Sequence, residues 1–98
     1  MPWTYILRCA DGSYYVGSTR SLDHRMEQHA SCHGSRYTAR RLPVTLEWSA
    51  EFDDIAQAWG LERRIHGWSH AKREALVRGG FEEVRRLRRE ACRKSSDR

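Results

Sequence analysis

Apolar and β-branched residues near the start of the chain fall into two short runs separated by a turn signal. The runs span residues 3–9 and 13–17, and Asp11-Gly12 lies between them. An Asp-Gly pair in this position favours a tight turn, because Gly12 accepts the positive φ that such a turn demands. The pattern therefore predicts an antiparallel β-hairpin.

This hairpin can bring two tyrosines close together. Successive side chains of a strand point to opposite faces. One predicted face carries the odd-numbered residues of the first strand, Trp3, Tyr5, Leu7 and Cys9, and the opposite face carries Thr4, Ile6 and Arg8. If the register places Tyr15 on the face of Tyr5, the two phenol hydroxyls can converge.

Four helices are predicted after the hairpin. Three of them begin after a serine or an aspartate, residue types that cap helix N-termini, and glycine ends two of them. The predicted helices are Leu22–Ala30 after Ser21, a helix from Asp53 or Asp54 to about His66, residues 70–77 after Ser69, and residues 81–93 after Gly79-Gly80.

A third strand is predicted to open at Pro43, after a polar connection of residues 31–42. In this strand Val44, Leu46 and Trp48 alternate with polar residues, so they are predicted to share one face. The elements together predict the α/β (α+β) class, with a small three-stranded antiparallel sheet flanked by helices. The 98 residues suffice for one domain, in which residues 1–80 form the body and residues 81–98 add a basic C-terminal helix and tail.

Two charged residues fall within predicted apolar helix faces. Arg25 lies in the inward stripe of the first helix, and Glu62 lies in that of the helix ending near His66. Both side chains are therefore predicted to face the sheet. The residues assigned to the two stripes are Leu22, Met26 and His29 in the first helix, and Ile55, Ala58, Trp59, Ile65 and His66 in the other.

Burying a lone charge is costly, so each of these side chains needs a partner, a metal ion or a water-filled cleft. One explanation is a salt bridge between Arg25 and Glu62. The other is an active cleft over the hairpin, in which Glu62 holds a cation and Arg25 faces a phosphate group.

The composition favours a globular protein with an anionic partner. Apolar residues make up 39% of the chain and charged residues 32%, and no apolar run is long enough to span a bilayer. No secretory signal follows Met1, so a cytoplasmic location is expected. The net charge is +5 and sixteen of the eighteen basic residues are arginine, whose planar fork matches phosphate oxygens. Nucleic acid is the expected partner, although a solvated basic surface explains the charge alone as well.

The cysteines do not form a disulfide framework. Cys9, Cys32 and Cys92 are odd in number and lack Cys-x-x-Cys spacing, so reduced thiols are expected. A zinc site built from His29, Cys32, His33 and Cys9 is an alternative, although it lacks the paired-ligand spacing typical of zinc sites.

The order of motifs resembles that of the GIY-YIG nuclease family, most closely its small stand-alone bacterial members. The resemblance covers about residues 3–78. Trp3 and Thr4 depart from the family's pattern, because they replace the glycine and isoleucine of the first motif. The matching stretches are Trp3-Thr4-Tyr5, Tyr15-Val16-Gly17, Ser21-Leu22-Asp23-His24-Arg25, Glu62-Arg63-Arg64-Ile65 and residues 68–76.

The resemblance implies an endonuclease that hydrolyses phosphodiester bonds. Tyr15 is the implied general base, and Tyr5 supports it through hydrogen bonds. Arg25 is the implied phosphate ligand, and Glu62 is the implied metal ligand. A single carboxylate suits water-rich Mg²⁺ or Mn²⁺ rather than zinc.

Further nucleic-acid contacts are expected around these residues. The expected partner is DNA rather than RNA, and the protein is expected to act as a monomer. Two alternatives stay open: a catalytically silent nucleic-acid-binding module with the same fold, and an adaptor that binds a protein partner. The residues expected to contact nucleic acid are Gly17, His29, His33, Arg36, Arg40 and Lys72.

Overall fold

The computed structural model of the chain describes residues 1–31 and 36–96, with the side chains of Arg36 and residues 91–96 outside the description. It contains a three-stranded antiparallel sheet with the order β2-β1-β3 and four helices. This confirms the predicted fold class. The elements are β1 (Trp3–Arg8), β2 (Tyr14–Thr19), α1 (Leu22–Ala30), α2 (Arg36–Ala39), β3 (Thr45–Glu51), α3 (Ile55–His66) and α4 (His70–Ser96).

The predicted hairpin is confirmed, together with its turn. Gly12 has a φ of 86°, and its N–H donates to the Cys9 carbonyl over 2.9 Å. The register pairs Tyr5 with Gly17 and Leu7 with Tyr15. Residues paired across a ladder point to the same face, so Tyr5 and Tyr15 are diagonal neighbours on one face of the sheet.

The third strand differs from the prediction, because a β-bulge interrupts its alternation. Ile6 pairs with Trp48, whereas the next residue of β1, Leu7, pairs with Leu46. Glu47 is the extra residue, and one extra residue reverses the faces beyond it. The prediction that Leu46 and Trp48 share a face was therefore wrong, and Leu46 is exposed.

Helix α1 begins and ends where the pattern predicts, but its cap is not the expected one. Ser21 occupies the N-cap position without a side-chain hydrogen bond to the first turn. Instead the Thr19 hydroxyl accepts from the Ser21 N–H over 3.2 Å and donates to the Ser21 carbonyl over 3.1 Å. The short helix α2 lies in the connection that was predicted to be merely polar.

Helix α3 has the predicted cap but a different buried face. The Asp54 side chain accepts from the Gln57 N–H over 3.0 Å. Ala58 and Ile65 are buried, whereas Trp59 is 52% exposed and His66 is exposed. Including Trp59 and His66 in the stripe was wrong, because each lies about 100° around the helix from a buried neighbour.

Contacts divide the chain into two compact units, Met1–Gly67 and Trp68–Arg98. The first holds the sheet and α1 to α3. The second holds α4, whose helical geometry breaks at Gly79 and at Gly80, which has a φ of 69°. This break matches the predicted end of one helix and start of another. The grouping of residues 1–80 with 81–98 into one domain stays a prediction.

The spacing of Phe81, Val84, Leu87 and Ala91 predicts an apolar stripe on the C-terminal part of α4, and the structure follows it only in part. Val84 is buried, but Phe81 is 41% exposed. Ala91, the last residue of the predicted stripe, has its side chain outside the described set. No helix within the described ranges has an apolar stretch of the length that a bilayer requires.

Candidate nuclease site

Gly17 allows the phenols of Tyr5 and Tyr15 to lie against the backbone of β2. The two ring centroids are 6.4 Å apart. A Cβ atom at Gly17 would stand 2.5 Å from the Tyr5 oxygen and 3.2 Å from Tyr15 Cε1. Any side chain at position 17 would therefore displace the two phenols. Gly17 of the second motif leaves the space that the Tyr5 phenol of the first motif occupies.

The Tyr5 hydroxyl is buried and bonded on two sides. Arg25 Nε donates to it over 3.4 Å, and it lies 2.9 Å from His29 Nε2. Burial raises the pKa of Tyr5 to about 12, against the opposing effect of the Arg25 hydrogen bond. At neutral pH Tyr5 is therefore a neutral phenol that orients its neighbours.

His29 links Tyr5 to Thr38. Its Nδ1 lies 2.9 Å from Thr38 Oγ1, and His29 and Thr38 are both fully buried. Burial and then the charge of Arg25 lower the pKa of His29, so its ring is neutral at pH 7. One ring nitrogen donates and the other accepts. Hydrogen bonds therefore run without a break from Arg25 on α1 through Tyr5 and His29 to Thr38 on α2.

Tyr15 is more accessible than Tyr5. Its side chain is half-buried, whereas Tyr5 has no exposed surface. The Tyr15 ring meets the edge of the His29 ring, with centroids 5.3 Å apart and planes at 65°. Of the two predicted phenols, Tyr15 is thus the one that an incoming molecule can approach.

Arg25 is the electrostatic centre of the cluster. Its guanidinium donates to Gln28 Oε1 over 3.1 Å as well as to Tyr5. Its pKa is raised, first by the hydrogen bond with Tyr5, and the negative charge of Glu62 acts in the same direction. The four side chains predicted from the sequence therefore come within electrostatic reach of one another.

The salt bridge between Arg25 and Glu62, one of the two explanations for their inward placement, is not formed. Within the described part of the chain, Glu62 pairs with His66, with Nε2 and Oε2 3.4 Å apart on the surface of α3. Glu62 is half-buried, so its carboxylate is neither neutralised by Arg25 nor sealed from solvent.

Glu62 fits the kind of metal site that the resemblance implies. No cluster of three or more histidine, cysteine, aspartate or glutamate side chains occurs among the residues described. One half-buried carboxylate suits Mg²⁺ or Mn²⁺, which keeps several waters and takes other ligands from substrate phosphates. Two residues of the alternative zinc site, Cys32 and His33, lie outside the described residues. A third, His29, has both ring nitrogens hydrogen-bonded within the protein.

Helix α3 is fixed to the opposite face of the sheet by two hydroxyl groups. Thr4 Oγ1 donates to the Ala58 carbonyl over 2.7 Å, and Ser18 Oγ donates to the same carbonyl over 3.1 Å. In an α-helix this carbonyl is also the acceptor for the N–H four residues later, which belongs to Glu62. Thr4, a departure from the family's first motif, thus sets the position of the candidate metal ligand.

The residues expected to contact nucleic acid lie in different settings. Gly17 and His29 are buried within the cluster, and the structure joins His29 to it through Tyr5. Arg40 is exposed, and Lys72 Nζ lies 4.5 Å from the centre of the Trp68 ring in the second unit. His33 and the Arg36 side chain lie outside the description.

Three residues of this region had no signal in the sequence. Tyr37, Thr38 and Arg41 belong to the polar connection, where no periodicity marks an inward or outward side. Tyr37 contacts Tyr15, Thr38 contacts His29, and Arg41 contacts Asp11. These contacts depend on how residues 36–41 fold back on the hairpin.

Comparison with known proteins agrees with this geometry. A model of the GIY-YIG catalytic domain matches residues 1–75. A UPF0213 protein of Halobacterium salinarum is 40% identical over 76 residues, which are 78% of this chain and 99% of that protein. A UPF0213 protein of Natronomonas pharaonis is 37% identical over 75 residues, or 76% of this chain and 88% of that protein.

A solved structure is similar in fold as well as in sequence. It is the solution NMR structure of a UPF0213 protein from Bacillus halodurans, 38% identical, with a TM-score of 0.53 over 86% of this chain and 93% of that chain. The family model, the relatives and the fold agree, and the chain belongs to the GIY-YIG family.

Proposed function

We propose that the protein is an endonuclease that hydrolyses phosphodiester bonds in nucleic acid, with DNA as its preferred substrate and Mg²⁺ or Mn²⁺ as its cofactor. One observation carries the proposal. Arg25 donates a hydrogen bond to the Tyr5 hydroxyl, and Tyr5 lies against Tyr15 with ring centroids 6.4 Å apart, so the cation that would face the phosphate is joined directly to the phenol pair.

Hydrolysis of a phosphodiester has three requirements. The attacking water must lose a proton, the charge on the phosphoryl oxygens must be stabilised, and the leaving alkoxide must be neutralised. Tyr15 takes the proton from the water, because it is the accessible phenol of the pair. A tyrosine acts as a base only when nearby positive charge favours its phenolate, and Arg25 supplies that charge.

Arg25 has a second role towards the substrate. A guanidinium carries five N–H donors, and among the residues that the structure describes, Arg25 donates to two, Tyr5 and Gln28. The other donors are available to a non-bridging phosphate oxygen. Tyr5 stays protonated and holds Arg25 in place, while His29 and Thr38 hold Tyr5.

Glu62 is the residue that would hold the metal ion. When bound, the ion supplies positive charge at the leaving oxygen. The hydroxyls of Thr4 and Ser18 keep α3, and with it the Glu62 carboxylate, at a fixed distance from the hairpin.

Cleavage assays on several substrates test this proposal. The full chain is incubated with plasmid, single-stranded, branched and RNA substrates, with Mg²⁺ or Mn²⁺ and with a chelator. We expect cuts that require the metal ion and that are most efficient on a DNA substrate. Binding without cleavage of any substrate would contradict the enzyme assignment and favour the silent binding module.

A further inference from the structure

A stack of planar groups extends from the candidate general base to the protein surface. The rings of Tyr15 and Tyr37 are stacked, with centroids 6.0 Å apart and planes at 28°. The guanidinium carbon of Arg41 lies 3.9 Å from the centre of the Tyr37 ring. Tyr37 is 37% exposed, so the stack leads from the half-buried Tyr15 towards solvent.

The outer end of this stack is held rigidly. Arg41 Nε donates to Asp11 Oδ2 over 2.9 Å, and Arg41 Nη1 donates to the Tyr37 carbonyl over 3.0 Å. The Arg41 carbonyl accepts from the Ala10 N–H over 2.9 Å. These bonds join the segment after α2 to the hairpin turn, so the planar groups are ordered before any ligand arrives.

The charge at this end favours a base over a phosphate group as the ligand. Hydrogen bonds from Ser13 lower the pKa of Asp11, which is therefore ionised at neutral pH. Its carboxylate offsets the charge of Arg41 and repels a phosphate placed against the ion pair. A neutral, flat π-system meets no such repulsion and gains contacts with the outer face of the Arg41 guanidinium, which ends the stack and is partly exposed.

We infer that the Arg41 guanidinium, held flat against the Tyr37 ring, forms a stacking subsite for an unpaired base next to the scissile phosphate. The inference rests on the proposed nuclease function and adds a substrate class to it: strands with unpaired nucleotides, such as single-stranded or branched nucleic acid. A base in a duplex is already stacked on its neighbours, so only an unpaired base gains from this surface. Stacking on an aromatic side chain is tolerant of sequence.

Binding measured without a metal ion tests the inference separately from cleavage. The probes are a single-stranded oligonucleotide and a duplex of the same length, both fluorescently labelled, with chelator present. Tyr37→Leu removes the ring, and we expect it to weaken single-strand binding on the order of tenfold while duplex binding stays unchanged. Tyr37→Phe keeps the ring and should bind like the wild-type protein.

Two controls make the test specific. Trp59→Leu removes another exposed aromatic ring of the same unit, away from the stack, and should leave both affinities unchanged. The slope of log affinity against log salt should also stay unchanged in Tyr37→Leu, because a lost phosphate contact would reduce it by about 0.7 on a single strand.

The outcomes separate this inference from the nuclease proposal. An unchanged single-strand affinity in Tyr37→Leu, or an equal loss on both probes, would overturn the stacking subsite. Melting temperatures of all variants show whether an equal loss reflects unfolding. A wild-type protein that prefers single strands through Tyr37 but never cuts them would overturn only the nuclease proposal.

Discussion

The hydroxyl of Tyr5 lies so close to the backbone of Gly17 that a methyl group could not stand between them. The added Cβ would be 2.5 Å from the Tyr5 oxygen. Tyr5 and Gly17 are also paired across the hairpin, so neither can move without the other. Gly17 is thus required for the space it leaves and not for an unusual φ, since the described glycines with a positive φ are Gly12 and Gly80.

Substitution Gly17→Ala should therefore disturb the cluster. We expect a loss of about 1–3 kcal/mol in the free energy of unfolding, as for an overpacked core, together with a strong loss of cleavage. Gly60→Ala is the matched control, because its Cβ meets nothing within 4 Å and alanine favours a helix interior. That variant should be about 1 kcal/mol more stable and fully active. Normal stability and cleavage in Gly17→Ala would contradict the close contact.

The two phenols should respond differently to loss of their hydroxyl groups. Tyr15→Phe removes the proposed base and should lower turnover by about 10²–10⁴-fold with little change in melting temperature. Tyr5→Phe removes a buried hydroxyl that contacts Arg25 and His29, so it should lower both turnover and melting temperature. Turnover and melting curves on the same preparations distinguish them. Near-normal turnover of Tyr15→Phe would show that the water is activated elsewhere.

The bond from Thr4 to Ala58 should affect the response to metal as well as stability. Thr4→Val keeps the shape but loses the buried hydroxyl, which should cost about 1 kcal/mol of unfolding free energy. Because α3 carries Glu62, the Mg²⁺ concentration for half-maximal cleavage should rise. Thr4→Ser keeps the hydroxyl and should retain the wild-type metal response. A destabilised Thr4→Val protein with an unchanged metal response would limit Thr4 to a structural role.

The free energy of unfolding should fall as the pH falls, and part of this loss should come from His29. The pKa of His29 is lowered in the folded protein. Below the ordinary value of ~6.5, the unfolded chain therefore binds a proton at His29 more readily than the folded protein does. The contribution of neutral His29 is complete above that pH and is lost as pH falls towards its folded-state pKa. Arg25, Tyr5, Tyr15 and Thr38 are the groups that face it.

Urea unfolding between pH 7.5 and pH 5 measures this effect. The wild-type protein should lose more stability across the range than His29→Gln, because carboxylates titrate alike in both proteins. Equal pH dependence of the two proteins would mean that His29 titrates normally in the folded state.

Much of the fold and the core of the site could be predicted from local patterns. The Asp11-Gly12 turn and helical periodicity were sufficient to identify the hairpin and the inward placement of Arg25 and Glu62. These features depend on residues within a few positions of each other, where turn and helix geometry act directly.

Features that depend on contacts distant in sequence could not be predicted. The bulge at Glu47 follows from how β3 pairs with β1, and the Thr4 bond to Ala58 spans 54 residues. Whether Glu62 pairs with Arg25 depends on how α1 and α3 lie on the sheet, and Glu62 instead pairs with His66, one turn further along α3. Periodicity identifies the face of a helix but not the partner of each side chain on it.

The substitution Glu62→Gln shows most clearly whether this chain is a metal-dependent nuclease. We expect cleavage to be abolished while nucleic-acid binding persists. The melting temperature should change little, because the exposed pair with His66 contributes only about 0–1 kcal/mol. Glu74→Gln, which makes the same charge change at the ion pair with Arg78, should cleave normally. A Glu62→Gln protein that still cuts nucleic acid at the wild-type rate would contradict the account.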